Sequence, residues 1–239
     1  MRACYYPELK HTQYEKAPKL IELEEEQHHH LKNVLRMKEG DSILLIDGKG
    51  LVANCKIASI EKKRTYIDVS EIKQHEKKAK LEIVLGMTKK ENIEEVAKSC
   101  VMAGVDKLSL VPFALSPLQY VPNDRLDKIL ISALEQSNNP FLTTIAAYKN
   151  LDNYLEHSNE SQSSIICHWG FESPKAPVKL QEKVRIFIGP EGGMKKLEVQ
   201  KLLTLPDTTG VTFETPILRA THAVIYSLGF IEAHRHLPN

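Results

Sequence analysis

The apolar positions near the start of the chain follow a helical period. In the stretch "EEEQHHHLKNVLRMKEGD", Leu31, Val34 and Leu35 fall on one face of a helix and the polar side chains fall on the other. Gly40 is a typical residue at which such a helix ends. The pattern therefore predicts one short amphipathic helix that buries its apolar face.

The period then changes to two, which is typical of strands with one buried face. Apolar and polar residues alternate in "VANCKI" and in "TYIDVS", and Asp47–Gly48 has the composition of a hairpin turn. A charged turn at residues 61–64 separates the two stretches. We predict a small β-barrel over residues 1–72 and a polar linker over residues 73–80.

From Leu81 onward, continuous apolar runs alternate with helical patterns. Five runs are predicted to be strands, and helices follow four of them; the runs are "LEIVLGM", "KLSLVPF", "SSIIC", "VRIFI" and "GVTF". Asn123 or Asp124 is placed to cap the second helix. Continuous apolar strands that alternate with helices indicate a parallel sheet covered on both faces. Residues 81–239 are therefore predicted to form an α/β domain.

Composition and charge narrow the class of protein only slightly. The 32 Lys and Arg residues nearly balance the 31 Asp and Glu residues. A basic surface that binds RNA therefore has to come from local clustering of charge, and the lysine-rich stretch 56–80 is one such cluster. The four cysteines are scattered without metal-ligand spacing, and the adjacent histidines 28–30 point apart on a helix, so we predict no metal site. The sequence shows no basic leader, and its apolar runs are all much shorter than the ~18 residues that a membrane span needs. We therefore expect a cytoplasmic protein without a membrane partner.

The stretch "FIGPEGGMKKLE" places one acid, Glu191, in a glycine-rich loop between a strand and a helix. In an open α/β sheet, ligands bind beyond the carboxyl ends of the strands, and glycines let the backbone approach a ligand closely. The glycine spacing fits neither the P-loop nor the dinucleotide fingerprint. The loop is therefore a candidate ligand site, with a tight structural turn as the alternative.

A second stretch, "TPILRATHAVIYSLGF", places Arg219 at the start of the last helix. His222 follows three residues later, so the two side chains lie on one face of that helix. Arginine keeps its charge and offers a planar fork of donors, which makes Arg219 a candidate for stabilising an anion. The alternative is an exposed helix end with a histidine bonded inside the protein.

Five stretches, taken together and in their order along the chain, resemble the RsmE family: "HHHLKNVLRMKEGD", "DGKG", "EQS", "GPEGG" and "ILRATHA". Members of this family are SPOUT-class methyltransferases that use S-adenosylmethionine to methylate N3 of a uridine in 16S ribosomal RNA. The resemblance implies a PUA-like β-barrel, an α/β domain with a C-terminal trefoil knot, and a homodimer that acts on the small ribosomal subunit. The chain departs from the residues that family members commonly have at Met102, Asn138, Asn139, Glu214, Pro216 and His222.

The resemblance also implies roles for particular residues. Three loops would hold the cofactor, and their residues are Ile166, Cys167, His168, Ile188, Gly189, Pro190, Glu191, Gly192, Gly193, Phe213, Ile217, Leu218, Ala220 and Ala223. We expect Arg219 to stabilise the negative charge that spreads over uracil when N3 loses its proton. His222 is the candidate proton acceptor, and Glu191 is expected to order its loop or to orient Arg219.

For the N-terminal module, we expect the polar side of the first helix to bind RNA through Arg2, His30, Lys32 and Arg36. Glu135 and Gln136, at the end of a helix, either support the catalytic site or form a frayed helix end. Two other functions stay open: a SPOUT methyltransferase with another RNA target, and a non-catalytic RNA-binding or ribosome-assembly protein that keeps the fold as a scaffold.

Overall fold

The computed structural model describes residues 2–10, 20–77, 80–117, 120–158, 162–173 and 178–235. The chain divides into two compact units: the first comprises Met1–Lys77 and Leu130–Leu142, and the second comprises Lys78–Ile129 and Thr143–Asn239. Strands occupy only the two ends of the predicted linker, up to Gln74 on one side and from Lys80 on the other. Residues 78 and 79 of that linker lie outside the described residues.

The first unit is built on a five-stranded sheet. Its strands are β1 (Arg2–Tyr5), β2 (Leu20–Leu23), β3 (Ser42–Ile46), β4 (Leu51–Ile60) and β5 (Thr65–Gln74). They pair in the order β1-β3-β4-β5-β2, with β1 parallel to β3 and the other neighbours antiparallel. Among the described residues, the two edge strands β1 and β2 do not pair with each other, so closure of this sheet into a barrel stays a prediction.

Both predicted turns of this unit are confirmed. Asp47 fixes the first turn, because its carboxylate accepts hydrogen bonds from the backbone N–H groups of Lys49 at 2.7 Å and Leu51 at 2.9 Å. In the second turn, the N–H of Glu61 donates to the carbonyl of Arg64 at 2.9 Å. The alternating pattern of β4 and β5 then buries one side chain in two, which gives the unit a core of its own.

The first helix differs from the predicted one. Helix α1 (Glu25–His29) continues into a π-helical turn at His30–Val34, where the N–H of Leu35 donates to the carbonyl of His30 at 2.9 Å. A π turn inserts one extra residue per turn and so rotates the face that follows. Leu31 is fully buried, whereas Val34 is 59% exposed. The prediction that Val34 shares the apolar face was therefore wrong.

The second unit contains a six-stranded sheet in which all the described neighbours are parallel. Its strands are β6 (Lys80–Gly86), β7 (Lys107–Val111), β8 (Thr144–Ala147), β9 (Ser163–Cys167), β10 (Lys183–Ile188) and β11 (Thr208–Val211). They lie in the order β11-β9-β10-β6-β7-β8. The predicted parallel sheet is confirmed; β8 was not predicted, because four residues carry too little pattern.

Five further helices accompany the strands: α2 (Lys90–Met102), α3 (Asp124–Ser137), α4 (Leu151–Glu156), α5 (Lys196–Leu203) and α6 (Ala220–Arg235). The Asn123 side chain accepts hydrogen bonds from the N–H groups of Arg125 at 3.2 Å and Leu126 at 3.3 Å, so Asn123 caps α3 as predicted. No helix in the described part of the chain is long and apolar enough to cross a membrane.

The end of α3 belongs to the first unit. The Glu135 carboxylate accepts a 2.9 Å hydrogen bond from the backbone N–H of Tyr5, and its other oxygen lies 3.5 Å from Nε2 of His30. Glu135 is thus not a frayed helix end, and its support of the catalytic site stays a prediction. It ties the end of α3 to β1 and to the π-helical turn.

One face of the parallel sheet packs on α4 and α5. Val84, Phe187 and Ile166 of three adjacent strands are fully buried there against Tyr154 and Leu202. These contacts hold β6, β9 and β10 rigidly side by side. The loops that leave the carboxyl ends of the central strands are therefore fixed relative to one another.

Candidate functional site

A cleft of about 710 Å³ opens at the carboxyl ends of β9, β10 and β11. Its walls come from three loops, at residues 167–169, 188–194 and 211–220, together with the start of α2. This is the edge at which open α/β sheets bind ligands. The three loops that the sequence predicted to act together are therefore adjacent in the structure.

The glycine loop lies directly on the end of β6. A Cβ atom on Gly86 would lie only 2.3 Å from the backbone nitrogen of Pro190, so the strand has to end in glycine. Gly193 has φ +76° and closes the loop, because its N–H donates to the carbonyl of Pro190 at 2.8 Å. Backbone geometry thus requires a glycine beneath the loop, at Gly86, and favours one within it, at Gly193.

The Glu191 carboxylate faces α2. Its Oε1 accepts a hydrogen bond of 2.7 Å from the side-chain amide of Asn92. Glu198 holds the other end of the loop, because its carboxylate accepts 2.7 Å hydrogen bonds from the N–H groups of Lys195 and Ala114. Two carboxylates therefore fix the loop, Glu191 within it and Glu198 in the first turn of the helix that follows.

Arg219 stands in the wall of the cleft, and its side chain is exposed. Among the residues that the structure describes, none forms an ion pair or a hydrogen bond with its guanidinium. His222 is also exposed but lies outside the cleft lining, with Nδ1 at 3.3 Å from the hydroxyl of Thr221. The cleft wall thus contains two cations, Arg219 and Lys89, and the imidazole of His222 is displaced from the cleft.

The predicted cofactor residues line the cleft with one exception. Ile166 is fully buried in the core beneath it; the lining contains Cys167, His168, Ile188, Gly189, Pro190, Glu191, Gly192, Gly193, Phe213, Ile217, Leu218, Ala220 and Ala223. Sequence reasoning missed Lys89 and Asn92, which line the cleft at the start of α2. The rule that sites lie at the carboxyl ends of strands points to them, because they directly follow β6.

Comparison with known proteins assigns both units to one family. A family model described as "RNA methyltransferase domain" matches residues 75–232, and one described as "RNA methyltransferase PUA domain" matches residues 23–70. A ribosomal RNA small subunit methyltransferase E 2 from Borreliella burgdorferi is 30% identical over an alignment of 222 residues that covers 86% of this chain and 88% of the relative. The chain belongs to the ribosomal RNA small subunit methyltransferase E family. The resemblance to the RsmE family is therefore confirmed.

Other members of the methyltransferase E family match over nearly the whole chain. The Bacillus subtilis enzyme of that name is 25% identical over an alignment of 252 residues that covers 98% of this chain and 97% of the relative. A solved structure of the Neisseria gonorrhoeae enzyme, bound to S-adenosyl methionine, superposes with a TM-score of 0.79 at 20% identity and covers 98% of this chain and 97% of that one. At this identity the superposition shows the fold, which is an α/β sheet with a PUA-like domain.

Cys167 is the one cysteine of this methyltransferase family member that lines the cleft. Burial raises the pKa of its thiol to about 11, although the hydroxyl of Ser227, at 3.2 Å, partly offsets the shift by bonding to the sulfur. The group is therefore a neutral thiol near pH 7. It has no thiolate character for nucleophilic attack.

The four residues predicted to bind RNA lie in the first unit, and three of them contact the protein. Arg2 donates to the carbonyl of Leu35, and Lys32 donates to the carbonyl of Glu61 at 2.7 Å. His30 faces Glu135, as described above. Arg36 is exposed, with φ +52°. The structure thus bonds Arg2 to the end of the π-helical turn and Lys32 to the charged turn at residues 61–64, and it leaves Arg36 facing the solvent.

The histidines at 28, 29 and 30 separate as predicted. His28 is buried and its Nδ1 lies 2.9 Å from the hydroxyl of Thr65, while His29 is exposed. Among the described residues, no group of three His, Cys, Asp or Glu side chains is placed to hold a metal ion.

Proposed function

We propose that this chain transfers a methyl group from S-adenosylmethionine to N3 of a uridine in 16S ribosomal RNA. The observation that carries the proposal is the cleft formed by three loops at the carboxyl ends of β9, β10 and β11, in a chain that belongs to the methyltransferase E family. A ribosomal substrate also supports a cytoplasmic location for the protein.

The cleft fits the cofactor chemically. Its wall includes the backbone of Gly189, Gly192 and Gly193, where the absence of side chains lets a ligand approach closely. Apolar side chains, among them Ile188, Phe213 and Ala223, suit an adenine ring. When bound, the sulfonium of S-adenosylmethionine supplies an activated methyl group, so the protein has mainly to position the two reactants.

Arg219 is the proposed catalytic cation. When N3 of uracil loses its proton, negative charge spreads onto the two flanking carbonyl oxygens. A guanidinium in the cleft wall favours this anionic, nucleophilic form, because its permanent positive charge complements the charge that develops. Glu191 orders the loop through Asn92. His222 is the proposed proton acceptor, and it requires movement or a bridging water to reach the cleft.

We also propose that the chain end of the second unit is knotted, as in SPOUT proteins. The strand β11 lies at the edge of the sheet beyond β9, yet α6 packs back on β10 and on α2. A last segment that passes through the connection between β9 and β10 would account for this arrangement. An experimentally determined chain trace that passes outside this connection would contradict the knot.

A homodimer is proposed from the exposed face of α6. Ile225 and Tyr226 are 53% and 51% exposed, and Gly229 follows them on the same side of the helix. An exposed helix face that carries two large apolar side chains suits contact with a second copy of the chain. We expect Ile225→Asp to convert a dimer to a monomer in light scattering, whereas Leu197→Asp, at a 77% exposed leucine of α5, leaves the mass unchanged. A monomeric wild type would contradict the proposal.

The function is tested by incubating the protein with labelled cofactor and unmodified small ribosomal subunits, followed by primer extension. Methylation at N3 blocks the pairing edge of uridine, so we expect label in the RNA and one new stop of reverse transcriptase. Arg219→Ala should remove both signals, whereas Lys98→Ala, at an exposed residue of α2, should keep them. Label without a stop indicates another atom as the target, and cofactor binding without label supports a non-catalytic protein.

A further inference from the structure

His168 and Trp169 form a pair of stacked rings at the wall of the cleft. Their centroids are 5.2 Å apart with an interplanar angle of 21°. Both residues line the cleft, and both follow directly after β9. We refer to these two residues as the ring pair.

The inner ring of the pair is held firmly in place. Nδ1 of His168 accepts a 3.0 Å hydrogen bond from the N–H of Gly170, and its backbone N–H donates to the carbonyl of Val211 at 3.0 Å. Its carbonyl accepts a 2.6 Å hydrogen bond from the Thr212 hydroxyl. The Phe171 ring meets the imidazole edge-on, at 5.8 Å. The imidazole is therefore a fixed support for the indole.

The outer ring of the pair is open to solvent. Trp169 is the only tryptophan in the chain, and it is 79% exposed. Tryptophan is highly buried on average, because its large apolar ring gains most from leaving water. Within the described part of the chain, no group accepts a hydrogen bond from its indole N–H. Packing of the protomer thus does not account for a tryptophan at this position.

The proposed reaction calls for an aromatic surface at such a place. N3 of uridine lies on the pairing edge, so the target base has to be unpaired when it reaches the cleft. Proteins that bind unpaired bases stack them on aromatic side chains, and this stacking replaces the contacts that the base loses in leaving its helix.

We propose that Trp169 stacks against an unpaired base of the RNA substrate and so positions the RNA at the cleft. The inference rests on the proposed function, because it takes an RNA substrate as given. It makes Trp169 a positioning residue for the RNA, with Arg219 acting on the reacting base. The adenine of the cofactor and a second copy of the chain are the two other occupants that the experiment has to distinguish.

The single tryptophan makes the test direct. The protein is first saturated with S-adenosylhomocysteine, which binds without transferring a methyl group, and then titrated with a single-stranded uridine-containing RNA that carries a fluorescent label. We expect indole emission to fall along the same curve as the binding followed by the anisotropy of the label. RNA binding without a change in emission would overturn the proposal. The proposal would also be overturned if S-adenosylhomocysteine alone produced the whole change in indole emission, because the adenine would then be the occupant. A change in emission that follows dilution of the protein would overturn it too, because a second copy of the chain would then be the occupant.

Substitution gives a second, independent readout. Trp169→Ala should weaken RNA affinity about 5- to 150-fold and raise the KM for RNA, while the affinity for S-adenosylhomocysteine stays unchanged. Trp169→Phe keeps a ring and should restore most of the affinity. Leu197→Ala, which truncates an equally exposed apolar side chain outside the cleft, is the matched control.

The outcomes separate this inference from the proposed function. Quenched emission and a loss of affinity in Trp169→Ala, in a protein that transfers no methyl group, would uphold the stacking and refute the reaction. Methyl transfer to RNA with unchanged KM in Trp169→Ala would uphold the reaction and refute the stacking. Wild-type protein that binds no RNA would overturn both.

Discussion

The side-chain amide of Asn92 donates a 2.7 Å hydrogen bond to the carboxylate of Glu191, 99 positions away in the sequence. The same amide lies 3.3 Å from the hydroxyl of Thr88, which is buried. The glycine loop is thereby anchored to the start of α2. This contact gives Glu191 a structural reason for its place between a proline and two glycines, because the acid holds the loop over the end of β6.

Asn92→Asp should weaken cofactor binding. The substitution removes the donor and places two carboxylates within hydrogen-bond distance, so the loop should move away from α2. We expect the affinity for S-adenosylmethionine, measured by calorimetry, to fall about tenfold. Asn33→Asp, the same chemical change at an exposed residue of the first unit, should leave the affinity unchanged. Equal affinities for the two variants would show that the contact does not support the cleft.

Gly86→Ala should displace the same loop from the other side. The added methyl group would lie 2.3 Å from the backbone nitrogen of Pro190, and backbone cannot give way as a flexible side chain can. We expect cofactor affinity to fall about 5- to 150-fold, in line with the usual cost of overpacking. Calorimetry gives the affinity, and circular dichroism establishes that the variant is folded. A folded variant with wild-type affinity would contradict this account of the loop.

The thiol of Cys167 should react slowly at neutral pH. Its pKa is raised to about 11, so the thiolate fraction, and with it the rate of alkylation, should rise about tenfold per pH unit between pH 8 and 10. Iodoacetamide labelling followed by peptide mass spectrometry measures this rate, and saturation with cofactor should lower it. The buried Cys100 is an internal control that should stay unlabelled in the folded protein. Rapid labelling of Cys167 at pH 7.5 would contradict the prediction.

Buried thiols should also make the protein less stable in alkali. Burial raises the pKa of Cys100 above its ordinary value of 9.0, so above pH 9 the unfolded chain loses a proton that the folded chain keeps. The stabilisation is complete below pH 9 and is lost above it, at up to about 1.4 kcal/mol per pH unit for each such thiol. Cys100→Ala should flatten this slope in urea unfolding. Val101→Ala, at a neighbouring buried residue, should lower the stability at every pH without changing the slope.

The sequence predicted the sheet, because continuous apolar runs and their alternation with helices are local patterns. It failed at Val34, where one extra residue in a π-helical turn rotates the helix face, and no residue type marks such a turn. It left the role of Glu135 open, since the contact with Tyr5 joins positions 130 residues apart. Long-range pairs of this kind are invisible to periodicity.

The site was predicted in its loops and missed in its details for the same reason. The glycines of "GPEGG" carry a backbone requirement that can be read along the chain. Lys89 and Asn92 become part of the cleft only because β6 lies beside β10. A single lysine and a single asparagine at the start of a helix have no local signal that separates them from ordinary surface residues.

The exposed guanidinium of Arg36 offers a test of RNA binding by the first unit. If it contacts a phosphate, Arg36→Glu should weaken RNA binding and reduce the slope of log affinity against log salt by about 0.7, the value for one contact to a single strand. Lys98→Glu, an equal change of charge on an exposed face of the second unit, is the control. Anisotropy gives the affinity at salt concentrations from about 50 to about 200 mM, and from these values the slope for each variant. If Arg36→Glu and the wild type have the same slope, the phosphate contact does not exist and RNA is bound through other residues.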